Sequence, residues 1–354
     1  MRIVILSDNK PGHYKQSLGI VERLPNCEME WVRVEFRHKW RDNLLRVFMC
    51  IFGGTSLSGT FIHALLRWSL TVETYNTLAT LQTADVTLST GSSVAAVNLL
   101  HGPSLKAKTV TCRRPSPLGT RHFDLAILPM FSWHGKRPTD NVCKTVGVPN
   151  PISPHTLNTE KKQLIQALNL SDCPRIGILI GGTDRHETIT IADAVDLSKV
   201  CEAIATELNA QILVTTSRRT PTDVVEHLAS ALKRVDWCPL FIQPDKPSTL
   251  TDPYQSILAL SDLLIVTADS FSMVCEAASS GRPVIVLTLS KEAVRLPKRY
   301  KVYAYMEQHA DVRQCRLDSL KQCIVEGLTS RGANPSLRDT ETAAAAIHRL
   351  VVSR

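Results

Sequence analysis

Short apolar runs alternate with helix-length amphipathic segments along the whole chain, and this alternation limits the possible folds more than any other feature of the sequence. Parallel strands joined by crossover helices produce it, because such strands are buried on both faces while each helix buries one. The pattern predicts an α/β protein with two Rossmann-like, doubly wound parallel sheets. The runs form two sets, at residues 3–6, 29–34, 85–89, 108–112 and 125–128, and at residues 176–180, 211–215, 239–242, 263–266 and 284–287.

The chain has 354 residues, more than the ~250 to 300 at which a single hydrophobic core stops growing, so two domains are expected. Residues 147–154 contain three prolines, which oppose regular hydrogen bonding and predict the connector. We expect an N-terminal domain at residues 1–150 and a C-terminal one at 151–354. An alanine-rich helix at 341–351 is expected to pack on one of the two sheets. Packing of this last helix on the N-terminal domain is one of the two possibilities. Sheets that face each other would enclose a ligand-binding cleft at the carboxyl ends of their strands.

The formal charge of +8 favours anionic partners. Nucleic acid is not expected among them, since the sequence has no zinc-finger spacing, aromatic RNA-binding signature or basic tail. The ten cysteines form no CxxC pair, which argues against a zinc site and a redox dithiol. No signal peptide is recognised at the start, so we expect reduced thiols and a cytoplasmic location, with peripheral contact at the inner face of the cell membrane left open.

The strongest motif is the segment 267–283, which follows the run at 263–266. Asp269 or Ser270 is expected to cap the next helix, whose N–H groups and positive dipole end can bind a diphosphate. Glu276 lies about two turns further on, where a carboxylate can accept both hydroxyls of a ribose. A capped helix in any α/β protein is the alternative interpretation. The expected donor-binding residues of this segment are Asp269, Ser270, Ser272, Met273 and Glu276.

Two more polar loops follow strands of the second set. Gly181 and Gly182, before Thr183, would let a ligand approach the backbone closely, although glycines also end strands in plain turns. Ser217, Arg218 and Arg219 follow the next strand, and the guanidinium groups can bind phosphate oxygens in pairs. A solvated charged turn is the alternative for these arginines. All three loops are expected to converge on one cleft.

In the first set, the loop Ser7-Asp-Asn-Lys-Pro-Gly-His13 follows the first strand and precedes a helix expected to start near Tyr14. Gly12 would permit a tight turn, and His13 has the chemistry of a general base that deprotonates an acceptor hydroxyl. A histidine that only stabilises the turn is the alternative. Ser92 and Ser93 are expected near a helix cap. The residues expected on the acceptor side are Asp8, Asn9, Lys10, Gly12, Ser92, Arg113 and Arg114.

Segment 37–70 differs from the rest of the chain, because a basic cluster at its start precedes apolar residues at helical spacing. It lacks the ~20 consecutive apolar residues needed to span a bilayer. Such helices can lie in the interface of an anionic membrane, with aromatic groups inserted and basic groups on the headgroups. Helices packed on the first domain would show much the same pattern, so both interpretations stay open.

The chain resembles the mitochondrial-fission elongated-mitochondria protein family, whose bacterial members are regarded as glycosyltransferases. The resemblance rests on Ser7-Asp-Asn-Lys-Pro-Gly-His13, Ile180-Gly-Gly-Thr183, Ser217-Arg-Arg-Thr-Pro221 and the stretch Thr267-Ala-Asp-Ser-Phe-Ser-Met273 with Glu276 and Gly281. More distantly it is similar to GT-B glycosyltransferases such as the lipid-linked N-acetylglucosaminyl transferase of peptidoglycan synthesis. The resemblance implies a two-domain GT-B-like fold, a histidine after the first strand at His13 and a donor-ribose glutamate at Glu276.

These observations lead us to expect a glycosyltransferase that uses a nucleotide diphosphate sugar, with an acceptor-side N-terminal domain and a donor-binding C-terminal domain. No DxD motif occurs, so neither a metal nor a cofactor is expected. Two rival functions remain: a non-catalytic adaptor at a membrane surface, and an epimerase of the non-short-chain kind. A short-chain epimerase is not expected, because its GxGxxG loop is missing after the first strand.

Overall fold

The computed structural model describes residues 1–55, 57–133, 140–183, 187–233, 235–289, 298–329 and 335–352. The chain divides into two compact units, of which unit 1 comprises Met1–Pro151 with Arg338–Arg354 and unit 2 comprises Ile152–Leu337. The chain therefore returns to unit 1 for its final helix. The predicted cleft between the two sheets stays a prediction.

Each unit contains one parallel sheet with helices on its faces. The strands are β1 Arg2–Ser7, β2 Glu28–Arg33, β3 Val86–Thr90, β4 Lys108–Cys112, β5 Leu125–Pro129, β6 Val142–Thr145, β7 Arg175–Leu179, β8 Gln211–Thr215, β9 Leu240–Ile242, β10 Leu263–Thr267, β11 Val284–Thr288 and β12 Val312–Arg316. The α-helices are α1 Pro11–Glu22, α2 Lys39–Phe52, α3 Gly59–Ser69, α4 Val72–Thr80, α5 Ser92–His101, α6 Pro154–Ala167, α7 Ile191–Glu207, α8 Thr222–Leu232, α9 Pro253–Leu260, α10 Phe271–Ala278, α11 Arg299–His309, α12 Leu320–Thr329 and α13 Asp339–Val352.

In unit 1 the strand order is β2-β1-β3-β4-β5-β6, and all pairs are parallel. Side chains of β1 alternate between two cores, with Ile3 and Ile5 on one face and Val4 and Leu6 on the other. This alternation is the expected result of a period of two in a strand that is covered on both faces. The order reverses between β1 and β3, so the crevice of this sheet lies beyond their carboxyl ends.

In unit 2 the order is β12-β11-β10-β7-β8-β9, again with parallel pairs throughout. This is the arrangement of a doubly wound Rossmann sheet, and the order reverses between β7 and β10. The predicted class of two doubly wound parallel sheets is thus confirmed. The sequence reading missed β6 and β12, the last strand in each sheet, because both carry polar residues at an edge and lack an apolar run.

The final helix α13 packs on one face of the sheet in unit 1, where Ala343 and Ile347 share a core with Ile3 and Ile5. Its first residue, Asp339, accepts hydrogen bonds from the backbone N–H groups of Val146 at 2.9 Å and Gly147 at 2.6 Å. The start of α13 therefore holds the segment that follows β6. No helix of the described ranges is both long and apolar enough to cross a membrane.

Candidate functional site

One candidate site lies at the switch point of the sheet in unit 2. β7 and β10 are neighbours in this sheet although they are far apart in the chain. In doubly wound sheets the ligand crevice opens beyond the carboxyl ends of two such strands. The loop after β7 carries Gly181 and Gly182, and the loop after β10 carries Asp269 and Ser270. Two of the three predicted donor loops therefore lie side by side.

The carboxylate of Asp269 joins these two loops. It accepts hydrogen bonds from the backbone N–H of Gly182 at 2.8 Å and from the hydroxyl of Thr267 at 2.7 Å. The same hydroxyl accepts the N–H of Gly181 at 2.7 Å. A Cβ atom at position 181 would lie 2.2 Å from an oxygen of Asp269, so only glycine fits there without a shift.

The third predicted loop, after β8, contacts the loop after β7 through hydrogen bonds of its backbone and of a hydroxyl group. Ser217 donates a hydrogen bond to the carbonyl of Gly181 at 2.6 Å, and the carbonyl of Arg219 accepts the N–H of Thr183 at 3.1 Å. A Cβ atom at Gly182 would lie 2.1 Å from this Arg219 carbonyl. The three loops are therefore connected by direct contacts at the carboxyl edge of the sheet.

The glycines are predicted to let a ligand approach the backbone, and that role stays a prediction. In this structure the atoms that approach them belong to Asp269 and to the backbone of Arg219. The N–H groups of Gly181, Gly182 and Thr183 all donate to protein acceptors. An anion that binds to Gly182 must therefore take the place of the Asp269 carboxylate.

The two arginines of the third loop have different surroundings. The guanidinium group of Arg219 lies 3.3 Å from the carboxylate of Asp269 and 3.5 Å from the hydroxyl of Ser270, with its side chain 48% exposed. Arg218 is exposed on the same loop. Arg219 is thus positioned at the site by an acidic partner, whereas nothing described here directs Arg218 to it.

Helix α10 starts at the site, but neither predicted residue caps it with a side chain. Ser270 occupies the N-cap position and makes no capping hydrogen bond through its side chain, while Asp269 binds to Gly182 instead. The prediction of a side-chain cap is therefore wrong, because the loop after β7 takes the carboxylate. In the first turn, Ser272 is exposed and Met273 is half-buried.

Glu276 is the sixth residue of α10 and is only 4% exposed. Tyr254, near the start of α9, lies beside it. Burial raises the pKa of Tyr254 well above its usual value, and the charge of Glu276 and a hydrogen bond to its carboxylate raise it further. A ribose that binds to Glu276 would share this carboxylate with the phenol. Tyr254 was missed in the sequence because no local motif links it to a helix further along the chain.

A small cavity of about 10 Å³, with room for about one water molecule, adjoins Asp269 and is also lined by Gly182, Thr267 and Glu187. Arg299 and the hydroxyl of Tyr300 both donate hydrogen bonds to the carboxylate of Glu187. Burial raises the pKa of Asp269, and the charge of Glu187 adds to the rise. Two carboxylates therefore line this cavity, which favours a neutral polar group over a second anion. Nothing in the local sequence marked Glu187.

Another candidate site lies at the switch point of unit 1, between the loops after β1 and β3. Helix α1 begins at Pro11, earlier than predicted, so His13 lies in its first turn. The tight turn before it is made by Asn9, whose φ is 59°, and not by Gly12 as the sequence suggested. Asparagine is one of the few residues that adopt this conformation readily. The ring of His13 lies so close to Gly91 that a Cβ atom there would come within 2.5 Å.

Asp8 pairs with two basic side chains in this loop. Its carboxylate lies 2.9 Å from Nδ1 of His13 and 2.7 Å from Nζ of Lys10. Burial alone would raise the pKa of Asp8, but the hydrogen bonds and charges of His13 and Lys10 outweigh it and lower the pKa to about 2. A carboxylate only accepts hydrogen bonds, so Nδ1 of His13 carries the proton and Nε2 carries the lone pair of the neutral ring. This places an oriented base at the carboxyl edge of the sheet.

The other residues predicted on the acceptor side have mainly local contacts. Ser92 is the first residue of α5 and not its cap, since Gly91, at a φ of 103°, takes that position without a side chain. The Ser92 hydroxyl accepts the N–H of Ser116 at 3.0 Å. Arg113 has a φ of 71° and its guanidinium group lies 5.7 Å from the ring centroid of Phe131. Arg114, the last of these predicted residues, is exposed.

In the part of the chain that the structure describes, no group of three or more His, Cys, Asp or Glu side chains is placed to hold a metal ion. The features above define a class of protein with two doubly wound parallel sheets and polar loops at the switch point of each, as in GT-B-like folds. The family model for Mitochondrial fission ELM1 matches residues 11–351. The chain therefore belongs to the mitochondrial fission ELM1 family, and the resemblance noted in its motifs is confirmed.

Among curated proteins, the uncharacterized protein RP120 of Rickettsia prowazekii (strain Madrid E) is 32% identical over 110 residues, which are 31% of this chain and 30% of that protein. The match thus spans less than a third of this relative. Among solved structures, UDP-GlcNAc 2-epimerase from Methanocaldococcus jannaschii aligns over 100% of both chains with a TM-score of 0.60 and 14% identity. UDP-GlcNAc 2-epimerase from Neisseria meningitidis bound to UDP-GlcNAc also aligns over 100% of both, with a TM-score of 0.56 and 15% identity. At these identities the likeness establishes the fold.

Proposed function

We propose that this protein is a glycosyltransferase that moves a sugar from a nucleotide diphosphate sugar to a hydroxyl of a saccharide or lipid-linked acceptor. The observation that carries the proposal is the junction of three polar loops at the switch point of unit 2, where Asp269 contacts both Gly182 and Arg219. Doubly wound sheets bind phosphorylated ligands at this point. A structure of similar fold contains UDP-GlcNAc, which supports a nucleotide sugar as the ligand.

In this proposal the diphosphate replaces the carboxylate of Asp269 as the partner of Gly182 and Arg219. The guanidinium group can bind two phosphate oxygens through its planar fork, and Arg218 supplies a second cation to the same loop. Negative charge grows on the diphosphate as the bond to the sugar breaks, so a cation that is already in position stabilises the transition state. The proposal requires neither a metal nor a cofactor.

Glu276 would accept hydrogen bonds from the ribose hydroxyls, since its buried carboxylate is an acceptor without competing water. The sugar would then extend toward Asp269, where the small cavity has room for one hydroxyl group. A neutral hydroxyl suits that cavity, because the carboxylates of Asp269 and Glu187 line it. The donor thus gains three kinds of partner in unit 2: a cation for the diphosphate, a carboxylate for the ribose and acidic acceptors for the sugar.

His13 would act as the general base of the transfer. Its Nε2 takes the proton of the acceptor hydroxyl, the acceptor oxygen bonds to the anomeric carbon, and the bond from that carbon to the diphosphate breaks. The nucleoside diphosphate leaves with the electron pair of that bond. Asp8 keeps Nδ1 protonated, so the lone pair that takes the proton of the acceptor hydroxyl lies on Nε2, and the resulting imidazolium is stabilised by the Asp8 carboxylate.

The donor half is tested by titrating uridine, guanosine and cytidine diphosphates into the purified protein by calorimetry. We expect one of them to bind, and Glu276→Gln to weaken it by about 10- to 100-fold, as for the loss of one charged hydrogen bond. Tyr254→Phe is the matched control, because it removes the neighbouring phenol and leaves the carboxylate. No binding of any diphosphate at millimolar concentration would remove the proposal.

A second candidate is an epimerase, because the similar solved structures cited above are both UDP-GlcNAc 2-epimerases. The two functions differ in what they need: an epimerase converts the nucleotide sugar alone, while a transferase also needs an acceptor. Proton NMR of UDP-GlcNAc incubated with the protein distinguishes them. A new set of anomeric signals from the unbroken nucleotide sugar would favour the epimerase and reject the transferase.

A third candidate is a non-catalytic adaptor at a membrane surface, and the exposed apolar side chains of α2 and α3 favour it. Under the transferase proposal the same surface would bring the protein to a lipid-linked acceptor. In both cases we propose a cytoplasmic protein in peripheral contact with an anionic membrane, at the inner face of the cell membrane. Binding of a nucleoside diphosphate separates the two, since the adaptor has no need for it.

A further inference from the structure

Helix α2 has two apolar faces, and only one of them is covered by the protein. Leu45 and Met49 are each 1% exposed and belong to a core of unit 1. The opposite side carries Trp40, Leu44, Val47 and Ile51, which are 51%, 52%, 50% and 63% exposed. At 100° per residue these four side chains lie on one stripe about 17 Å long, nearly opposite the buried pair.

Helix α3 continues this exposed surface. Phe61 and Trp68 are 43% and 36% exposed, while Ile62 and Leu66 on the other side of the helix are buried. The two helices meet where the rings of Trp40 and Trp68 lie 5.5 Å apart. We call the six exposed side chains the α2–α3 apolar face, and they are Trp40, Leu44, Val47, Ile51, Phe61 and Trp68.

Basic groups surround this face. Between residues 37 and 70 there are five Lys or Arg and one Asp, a net of four charges and so half of the formal +8 of the chain. The single acidic residue, Asp42, is buried and pairs with Lys39 and Arg46. The guanidinium group of Arg41 lies 5.2 Å from the ring of Trp40 and 5.0 Å from that of Trp68. The face is therefore apolar at its centre and cationic at its rim.

We propose that the α2–α3 apolar face docks on the surface of an anionic lipid bilayer. Tryptophan is enriched at the level of the headgroups, where its apolar ring and polar N–H are both satisfied, and exposed aliphatic side chains reach the acyl chains below. Arg37, Lys39, Arg41 and Arg67 would lie near the anionic headgroups, and each basic group increases partition by about fivefold. The helices lie flat on the membrane and do not cross it.

Charge argues against a second copy of this chain as the occupant of the face. A symmetric dimer places the same patch of both subunits together, so the basic rims of both would meet, with the buried Asp42 as the one acidic residue of segment 37–70. Anionic lipid supplies that offsetting charge over a wide area. The proposal deepens the membrane contact proposed above and is independent of the sugar chemistry in unit 2.

The test is flotation of this protein with vesicles of phosphatidylcholine, with and without about 30% phosphatidylglycerol, which supplies the anionic headgroups. We expect flotation with the anionic vesicles at low salt, a loss of at least tenfold at high salt, and little binding to neutral vesicles. Ile51→Glu and Leu44→Glu should each reduce binding by at least tenfold. Both side chains are more than half exposed, so their melting temperatures should stay unchanged.

Val325→Glu is the matched control, because Val325 is 40% exposed on α12 of unit 2, and the substitution adds the same charge at a residue that does not belong to the α2–α3 apolar face. It should float as the wild type does. Brominated lipid should quench Trp40 and Trp68, and the double change to phenylalanine should remove that quenching. Absence of flotation at low salt, equal flotation of Ile51→Glu, or a stable dimer that Ile51→Glu dissociates would each overturn the proposal. Diphosphate titration without vesicles tests the transferase separately.

Discussion

Asp8→Asn offers the sharpest test of the predicted base in unit 1. In the folded protein His13 and Lys10 lower the pKa of Asp8 from 3.8 to about 2. Since the folded-state pKa lies below the unfolded value, the carboxylate stabilises the fold above pH 3.8 and loses this contribution as the pH falls through about 2. The full shift corresponds to about 2.4 kcal/mol. Screening by solvent reduces the expected value to about 1 to 2 kcal/mol.

The measurement is urea denaturation of wild type and Asp8→Asn at pH 7 and pH 3, followed by circular dichroism. At pH 7 the substitution should lower the free energy of unfolding by about 1 to 2 kcal/mol, and at pH 3 the difference should fall to about half. Lys10→Gln is the companion variant, because it removes one cation and keeps the pair with His13. An equal difference at both pH values would refute the lowered pKa and with it the argument that Asp8 orients His13.

Three further predictions concern the loops and the final helix. Asp269→Asn should bind inorganic pyrophosphate about tenfold more tightly than wild type, because the competing charge is gone. The affinity of the wild type should rise as the pH falls toward the raised pKa of Asp269. Calorimetry at pH 5 and pH 8 measures both effects, and weaker binding by the variant would contradict the replacement of the Asp269 carboxylate by phosphate. Gly181→Ala should lower the free energy of unfolding by about 1 to 3 kcal/mol, because the new Cβ atom would clash with Asp269. Gly12→Ala is its control, since a Cβ atom there meets nothing within 4 Å, and it should be neutral or stabilising. Urea denaturation measures both variants. Asp339→Ala leaves two backbone N–H groups without their acceptor. It should lower the free energy of unfolding by about 2 to 4 kcal/mol in urea denaturation at pH 7. A smaller decrease, of the size caused by a substitution on the surface, would contradict the conclusion that the start of α13 holds the segment after β6.

The sequence was a good guide to the location of the functional loops but a poor guide to what their residues contact. Strand ends could be predicted, so Asp269, Gly182 and Ser217 were all placed after strands of the second sheet. Their mutual contacts were not predicted, because Gly182 and Asp269 are 87 residues apart in the chain. The prediction of a side-chain cap for α10 was wrong for that reason. The local pattern assigns the Asp269 carboxylate to the start of the helix, but in the structure this carboxylate accepts a hydrogen bond from Gly182, which is distant in sequence.

The residues missed by the sequence reading share this origin. Tyr254 beside Glu276 and Glu187 beside the cavity carry no local signal, since each becomes relevant only when two separate segments meet. The sequence favoured Gly12 over Asn9 as the turn residue because glycine is the usual residue of a tight turn. Helix α1 begins at Pro11, however, so Gly12 lies inside the helix and the turn falls at Asn9.

By itself the sequence determined the class of fold, because the period of its apolar residues records which faces of each strand and helix are buried. It also determined that segment 37–70 is amphipathic and basic. Only the tertiary structure decided that α2 exposes a second apolar stripe, that α13 returns to unit 1, and that Asp269 occupies the place proposed for a phosphate. The physical reason is that periodicity is a local property of the chain, while the partner of a buried polar group is chosen by all the segments that pack around it.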